Sequence, residues 1–181
     1  MNTKSLINHL TEDIIKLYNI KIPIEDIDAV VEKLGGKVVY TSKIHNKMEN
    51  CYVMKHGDSF AVLVDDRIKD SSNKNILIAR ELGNLFLFMG YQTNRKLWDE
   101  FPDEKVYKTN YMFREEDVKK EWMAHDFGLA LTMPEEEYRK IADQYTNDER
   151  VETLKIANYF HVDLTSARFR GEKLGVIQPV F

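Results

Sequence analysis

Three polar side chains interrupt the most apolar stretch of the chain. Ile76-Leu77-Ile78-Ala79 and Leu85-Phe86-Leu87-Phe88 flank Arg80, Glu81 and Asn84, and the run stops at Gly90. On a helix, positions 80 and 84 stand one above the other on a single face. A carboxylate among such neighbours needs a cation or several donors, because burying it unpaired is costly. Glu81 therefore either faces water on a half-exposed helix or sits with a partner in a cleft where it works. A second constellation lies downstream. His125 follows Glu121 by four residues, so on a helix the two could hold a metal between them, although two ligands make only a weak, open site and His125 reads equally as a hydrogen-bonding structural residue. Cys51 is the single cysteine, which excludes an intramolecular disulfide and reads as a small core residue in a reducing compartment. His45 and His56 read as surface residues. No glycine-rich phosphate loop occurs.

A third cluster is basic. Ala157, Phe160, Val162 and Leu164, with a break at His161 to Asp163, fit a helix, turn and helix, and Arg168, Arg170 and Lys173 make the second helix cationic. Such a helix could contact DNA. The competing reading is that both helices pack on the core while the basic side chains reach the surface. The formal charge of −4 favours the second, since an acidic chain with one short basic helix grips phosphates poorly.

The elements that must position these residues follow from periodicity. Leu6, Leu10, Ile14, Leu17 and Tyr18 predict an N-terminal amphipathic helix. Ile27, Val30, Val31 and Leu34 predict a second one, with Pro23 near its start and Gly35-Gly36 as its stop. Val38-Val39-Tyr40 is a strand signal, and Cys51 to Met54 and Phe60 to Val64 flank His56-Gly57-Asp58 as a hairpin would, so a small antiparallel sheet is expected. Ser71 or Ser72 could cap the central helix. Residues 91–113 lack a period and read as a surface excursion. Helices are expected over about 114–132, 134–145, 148–160 and 164–174, the last capped by Asp163 or Thr165, while the acidic triplets Glu115-Glu116-Asp117 and Glu135-Glu136-Glu137 suit helix starts. The pattern is α+β. A chain of 181 residues with 43% hydrophobic and 31% charged positions can bury one core without a structural metal. Its N-terminus has no signal-peptide character, and its longest apolar stretch falls short of the ~20 residues of a bilayer span, so the chain is expected to be cytoplasmic.

Two stretches resemble a known family. Ala79-Arg80-Glu81-Leu82-Gly83-Asn84-Leu85-Phe86-Leu87 is similar to the A-H-E-L-G-H-x-x-L helix of the ImmA/IrrE metallopeptidase-like proteins, which are zincins. Glu121-Trp122-Met123-Ala124-His125-Asp126-Phe127-Gly128-Leu129-Ala130-Leu131-Thr132-Met133-Pro134 resembles that family's E-x-x-A-N-x-F-A-x-x-L-L-M-P. The segment from Ile156 to Asp163 with Arg168, and the opening from Ile24 to Tyr40, resemble the family as well. The resemblance implies a zincin-like domain over residues 1–134, with 91–113 as an insertion, and a helical extension over 135–181 packed on the same core.

The resemblance also assigns roles. In His-Glu-x-x-His two imidazoles one turn apart bind zinc, the Glu polarises the metal-bound water, and a third ligand closes the site. Glu81 matches the general base and Glu121 the third ligand, while Arg80 and Asn84 stand at the two histidine positions. Arg80 has no lone pair to give and carries a fixed positive charge, and Asn84 offers one carbonyl oxygen. The expectation is a homologue that has lost its zinc, in which Arg80 serves Glu81 or Glu121 as counter-ion and no cofactor is required. The resemblance further implies a regulator tied to a prophage, a mobile element or a stress response, whose partner is a protein such as a helix-turn-helix repressor. An active zinc endopeptidase that cleaves such a repressor, and a DNA-binding regulator, are the alternatives.

Overall fold

In a computed structural model, residues 3–44, 50–107, 115–147 and 150–178 are described. They form an α+β fold. Helices α1 (Thr3–Leu17) and α2 (Ile27–Lys33) lead into β1 (Lys37–Thr41), β2 (Cys51–His56) and β3 (Ser59–Asp65); the central helix α3 (Lys74–Leu87) and the short α4 (Arg95–Glu100) follow. Helices α5 (Glu115–Thr132) and α6 (Glu135–Gln144), a two-residue hairpin β4–β5 (Thr146–Asn147 and Arg150–Val151), α7 (Thr153–Phe160) and α8 (Leu164–Leu174) complete the chain. His45 and residues 108–113 of the expected excursion lie outside the described residues.

The sheet departs from expectation. Its order is β1-β3-β2: β2 and β3 form the expected antiparallel hairpin, with Cys51 opposite Val64 and His56 opposite Ser59, but β1 runs parallel to β3, with Lys37 beside Ala61 and Thr41 beside Asp65. The sheet is mixed, and not an antiparallel meander. The reason lies in burial. Phe60, Ala61, Val62 and Val64 are all buried, and a strand covered on both faces takes the middle of a sheet, while the half-exposed β1 takes an edge.

Two corrections concern helices and the excursion. The inward stripe of α1 is Ile7, Thr11 and Ile14, and Leu6 and Leu17 are exposed. The described part of the expected excursion, residues 91–107, is anchored inward: Tyr91 and Trp98 are buried, their rings meeting edge to face with centroids 5.0 Å apart. An aperiodic segment here is held by single large side chains that periodicity does not register.

The core has two lobes. One joins α1, α2, the sheet, α3 and α5; the other joins Ile76 of α3 and Leu129 of α5 to Tyr138, Ile141, Ile156, Phe160 and Ala167 of the C-terminal helices. Helices α6, α7 and α8 thus share apolar contacts with α3 and α5. No helix among the described residues is long and apolar enough to cross a membrane.

Candidate functional site

Two glycines set the distance between α3 and α5. A Cβ on Gly83 would lie 2.8 Å from the Ala124 carbonyl oxygen, and one on Gly128 would lie 3.0 Å from the Arg80 amide nitrogen. The helices run antiparallel, backbone on backbone, with residue 83 opposite 124 and residue 80 opposite 128. That contact puts Arg80, Glu81 and Asn84 next to the helix that carries Glu121 and His125.

Glu81 is 3% exposed, and its carboxylate is surrounded by donors. Oε1 accepts from Arg80 Nη2 at 3.0 Å and Nε at 3.3 Å; Oε2 accepts from Asn84 Nδ2 at 3.2 Å and from the Val53 backbone N–H at 3.2 Å. Burial raises the Glu81 pKa above the ordinary carboxylate value, against the lowering effect of the Arg80 charge and the hydrogen bonds from Asn84 and Arg80, while Glu121 adds a further upward push. The Arg80 side chain is itself 21% exposed. A guanidinium in this position supplies two donors, both to Oε1, and the positive charge that a desolvated carboxylate needs.

Beyond Arg80 opens a mostly apolar pocket of about 410 Å³. It is lined by Arg80, Glu121, Trp122 and His125, and by Thr165, Ser166 and Phe169 of α8. Rings of Trp122, His125 and Phe169 stand 5.4–6.2 Å apart, centroid to centroid, and Trp122 is 52% exposed at the rim. Burial lowers the His125 pKa below its ordinary value, with the Lys173 and Arg80 charges pushing the same way and Asp126 opposing. The His125 Nδ1 is buried without a hydrogen-bond partner.

The chain's sequence matches the IrrE N-terminal-like domain over residues 31–171. It belongs to that family. No curated protein is matched. The IrrE-like match crosses position 134 and runs into α8, in keeping with the shared packing of the C-terminal helices.

Zinc, which the family implies, does not fit the residues present. Arg80 is committed to Glu81, and no guanidinium nitrogen ligates a dication. Asn84 turns its amide nitrogen to Glu81, leaving Oδ1 buried without a hydrogen-bond partner, so it adds one weak neutral oxygen to the Glu121 carboxylate. Among the described residues no three His, Cys, Asp or Glu side chains are grouped as metal ligands.

The structure brings Arg80, Glu81, Asn84, Glu121 and His125 together, and separates the basic trio of α8. Arg170 is 2% exposed: its Nε donates to the Met133 carbonyl at 3.0 Å and its Nη1 to Asn8 Oδ1 at 3.3 Å. It is a buried tie between α8, the end of α5 and α1, which corrects its assignment as a DNA contact. Arg168 pairs with Glu172 one turn on, at 2.9 Å, and Lys173 pairs with Asp126 of α5 at 2.5 Å. Asp163 caps α8, as expected, by accepting from the Ser166 amide, and Asn73, in place of Ser71 or Ser72, precedes α3.

Several site residues escaped the sequence reading. The Val53 amide contributes through its backbone, which no residue type signals. Tyr107 sits in the aperiodic segment, with its hydroxyl pKa pushed up to about 12 by burial and then by Glu121, Asp117 and Glu81. Trp122 follows Glu121 directly, and a large aromatic in the charged first half of α5 is the signal that could have pointed to the pocket.

Proposed function

We propose that this IrrE-like domain is a non-catalytic regulator that binds a protein segment in the cleft beside α3 without cutting it. The observation that carries this reading is the pair of hydrogen bonds from Arg80 to Glu81 Oε1: the residue at the first metal-ligand position neutralises the residue that would act as general base. A base held by a guanidinium and two further donors, one of them from the sheet, has two hydrogen bonds on each carboxylate oxygen and its lone pairs taken up by them. The pocket between α5 and α8 supports recognition, because an apolar hollow rimmed by an exposed tryptophan is the kind of surface that anchors a partner's side chain. The family resemblance makes a helix-turn-helix repressor, in the setting of a mobile element or a stress response, the partner class to try first.

Two measurements test the proposal. Metal analysis and peptide hydrolysis on the purified wild-type protein should show no turnover sensitive to chelators. The variant Arg80→His/Asn84→His should acquire tight zinc binding, since it returns two imidazoles to positions one turn apart opposite Glu121. Chelator-sensitive hydrolysis by the wild type would overturn the reading, and so would a folded double variant with no gain in zinc affinity.

A further inference from the structure

The outer edge of β2 runs past the site, and the chain covers that edge with its own backbone. β3 pairs with one side of β2. On the other side Val106 bridges Met54 in the antiparallel sense, the Tyr107 amide donates to the Val53 carbonyl at 2.8 Å, and the Glu104 amide donates to the Lys55 carbonyl at 3.1 Å. Beyond the strand end, the Gly57 amide donates to Asp103 Oδ1 at 2.6 Å and His56 pairs with Glu104. Val53 is consequently bonded in both directions: its N–H goes to Glu81 Oε2 and its C=O takes Tyr107. The strand edge, the buried carboxylate and this covering segment form one connected set.

The covering segment is held unevenly. Its root is fixed, because Trp98 is buried and the ammonium of the buried Lys55 donates to the Trp98 carbonyl at 2.7 Å and the Phe101 carbonyl at 2.9 Å, with Nζ 5.0 Å from the indole centroid. Past that root, residues 102–105 are exposed and attached mainly by the few bonds just named. Tyr107 then turns its ring onto Phe88 and Phe101, with centroids 6.1 and 6.2 Å away. A segment with a rigid root, an exposed middle and one aromatic foot has low local stability compared with the sheet it covers.

We infer that residues 103–107 are an intramolecular occupant of a peptide-binding edge, a strap that an extended segment of a partner protein replaces at β2. An edge strand presents its carbonyls at strand spacing, and the covering segment, which turns at Glu104 (φ 55°) and meets the Lys55 and Val53 carbonyls with amides three residues apart, matches that spacing less well than an extended backbone would. The incoming segment would carry an aromatic residue at the place of Tyr107, against Phe88, and would run beside Glu81. This inference rests on the reading above only in taking the partner to be a protein. It makes the free chain self-inhibited.

The probe is a fluorescein-labelled synthetic peptide with the sequence of residues 102–107, followed by anisotropy. Glu104→Pro/Tyr107→Pro removes both strap amides and should bind the peptide at least tenfold more tightly than wild type. Met54→Cys/Val106→Cys, oxidised, locks the strap and should bind less than wild type until reduced. Equal affinity across the three proteins, or no binding by a proline variant with a native circular dichroism spectrum, overturns the inference. Hydrogen exchange on wild type supplies a test independent of any variant: the Glu104 and Tyr107 amides should exchange more slowly than that of Lys105, and unprotected exchange at both would also overturn it. Neither experiment reads metal or turnover, so chelator-sensitive hydrolysis would remove the regulator reading and leave these outcomes as they stand.

Discussion

Removing the Arg80 guanidinium isolates the interaction on which the site depends. In Arg80→Ala, Glu81 keeps the Val53 amide and Asn84 but loses its cation in a setting where it is 3% exposed. Deleting one partner of a buried ion pair costs about 3–5 kcal/mol, and because the Arg80 side chain is partly exposed and two other donors remain, the lower end, about 3 kcal/mol near neutral pH, is expected. The loss should depend on pH in a definite direction. The folded-state pKa of Glu81 is already raised above its ordinary 4.5 by burial, and Arg80 is the largest influence opposing that rise, so the variant raises it further. Below about pH 4.5, where the carboxyl is protonated folded or unfolded, the two proteins should approach one another in stability. As pH climbs through each folded pKa the charged form must be buried, stability falls, and it falls further in the variant, at about 1.4 kcal/mol for each unit by which the pKa has moved. Urea denaturation from about pH 4 to pH 8 measures this, and the cycle with Glu81→Gln separates the pair from Arg80's other contacts. A destabilisation that is constant across pH, or that Glu81→Gln does not relieve, would refute the account.

The remaining predictions concern the scaffold. Gly83→Ala puts a methyl 2.8 Å from the Ala124 carbonyl oxygen on an immovable backbone, so the helices must part; a loss of about 1–3 kcal/mol in denaturant unfolding is expected, whereas alanine in an ordinary helix stabilises. Arg170→Ala should cost about 2 kcal/mol by leaving the Met133 carbonyl unsatisfied, while Arg168→Ala, on an exposed pair, should stay within about 0.5 kcal/mol. Thermal melts of the two variants check the contrast, and equal effects would contradict the burial of Arg170.

Much of the site was legible because it is written in helical spacing. Arg80, Glu81 and Asn84 stood out as polarity inside an apolar run, and Glu121 and His125 stood out as a pair four apart; the structure joins both sets through one helix crossing. The cost of burying a charge asks for a cation or donors at Glu81, and the family resemblance offers Arg80 as counter-ion to Glu81 or Glu121; the structure pairs it with Glu81. What stayed hidden depends on long-range geometry. The parallel pairing of β1 is decided by which strand is covered on both faces, and nothing in Val38 to Tyr40 records that. Arg170 reads as surface charge until the Met133 carbonyl and Asn8, from distant parts of the chain, close around it. Residues 91–107 have no period because Tyr91, Trp98 and Tyr107 hold them one at a time.

The crossing of α3 and α5 has a consequence for how this site could change its chemistry. Because Gly83 and Gly128 fix the separation through main-chain contact, no side chain at position 80 or 84 has to bridge the two helices to keep them together. The scaffold and the reactive groups are therefore separable inheritances. A lineage could exchange imidazoles for a guanidinium and an amide without first redesigning the frame, and the reverse exchange would find its frame waiting.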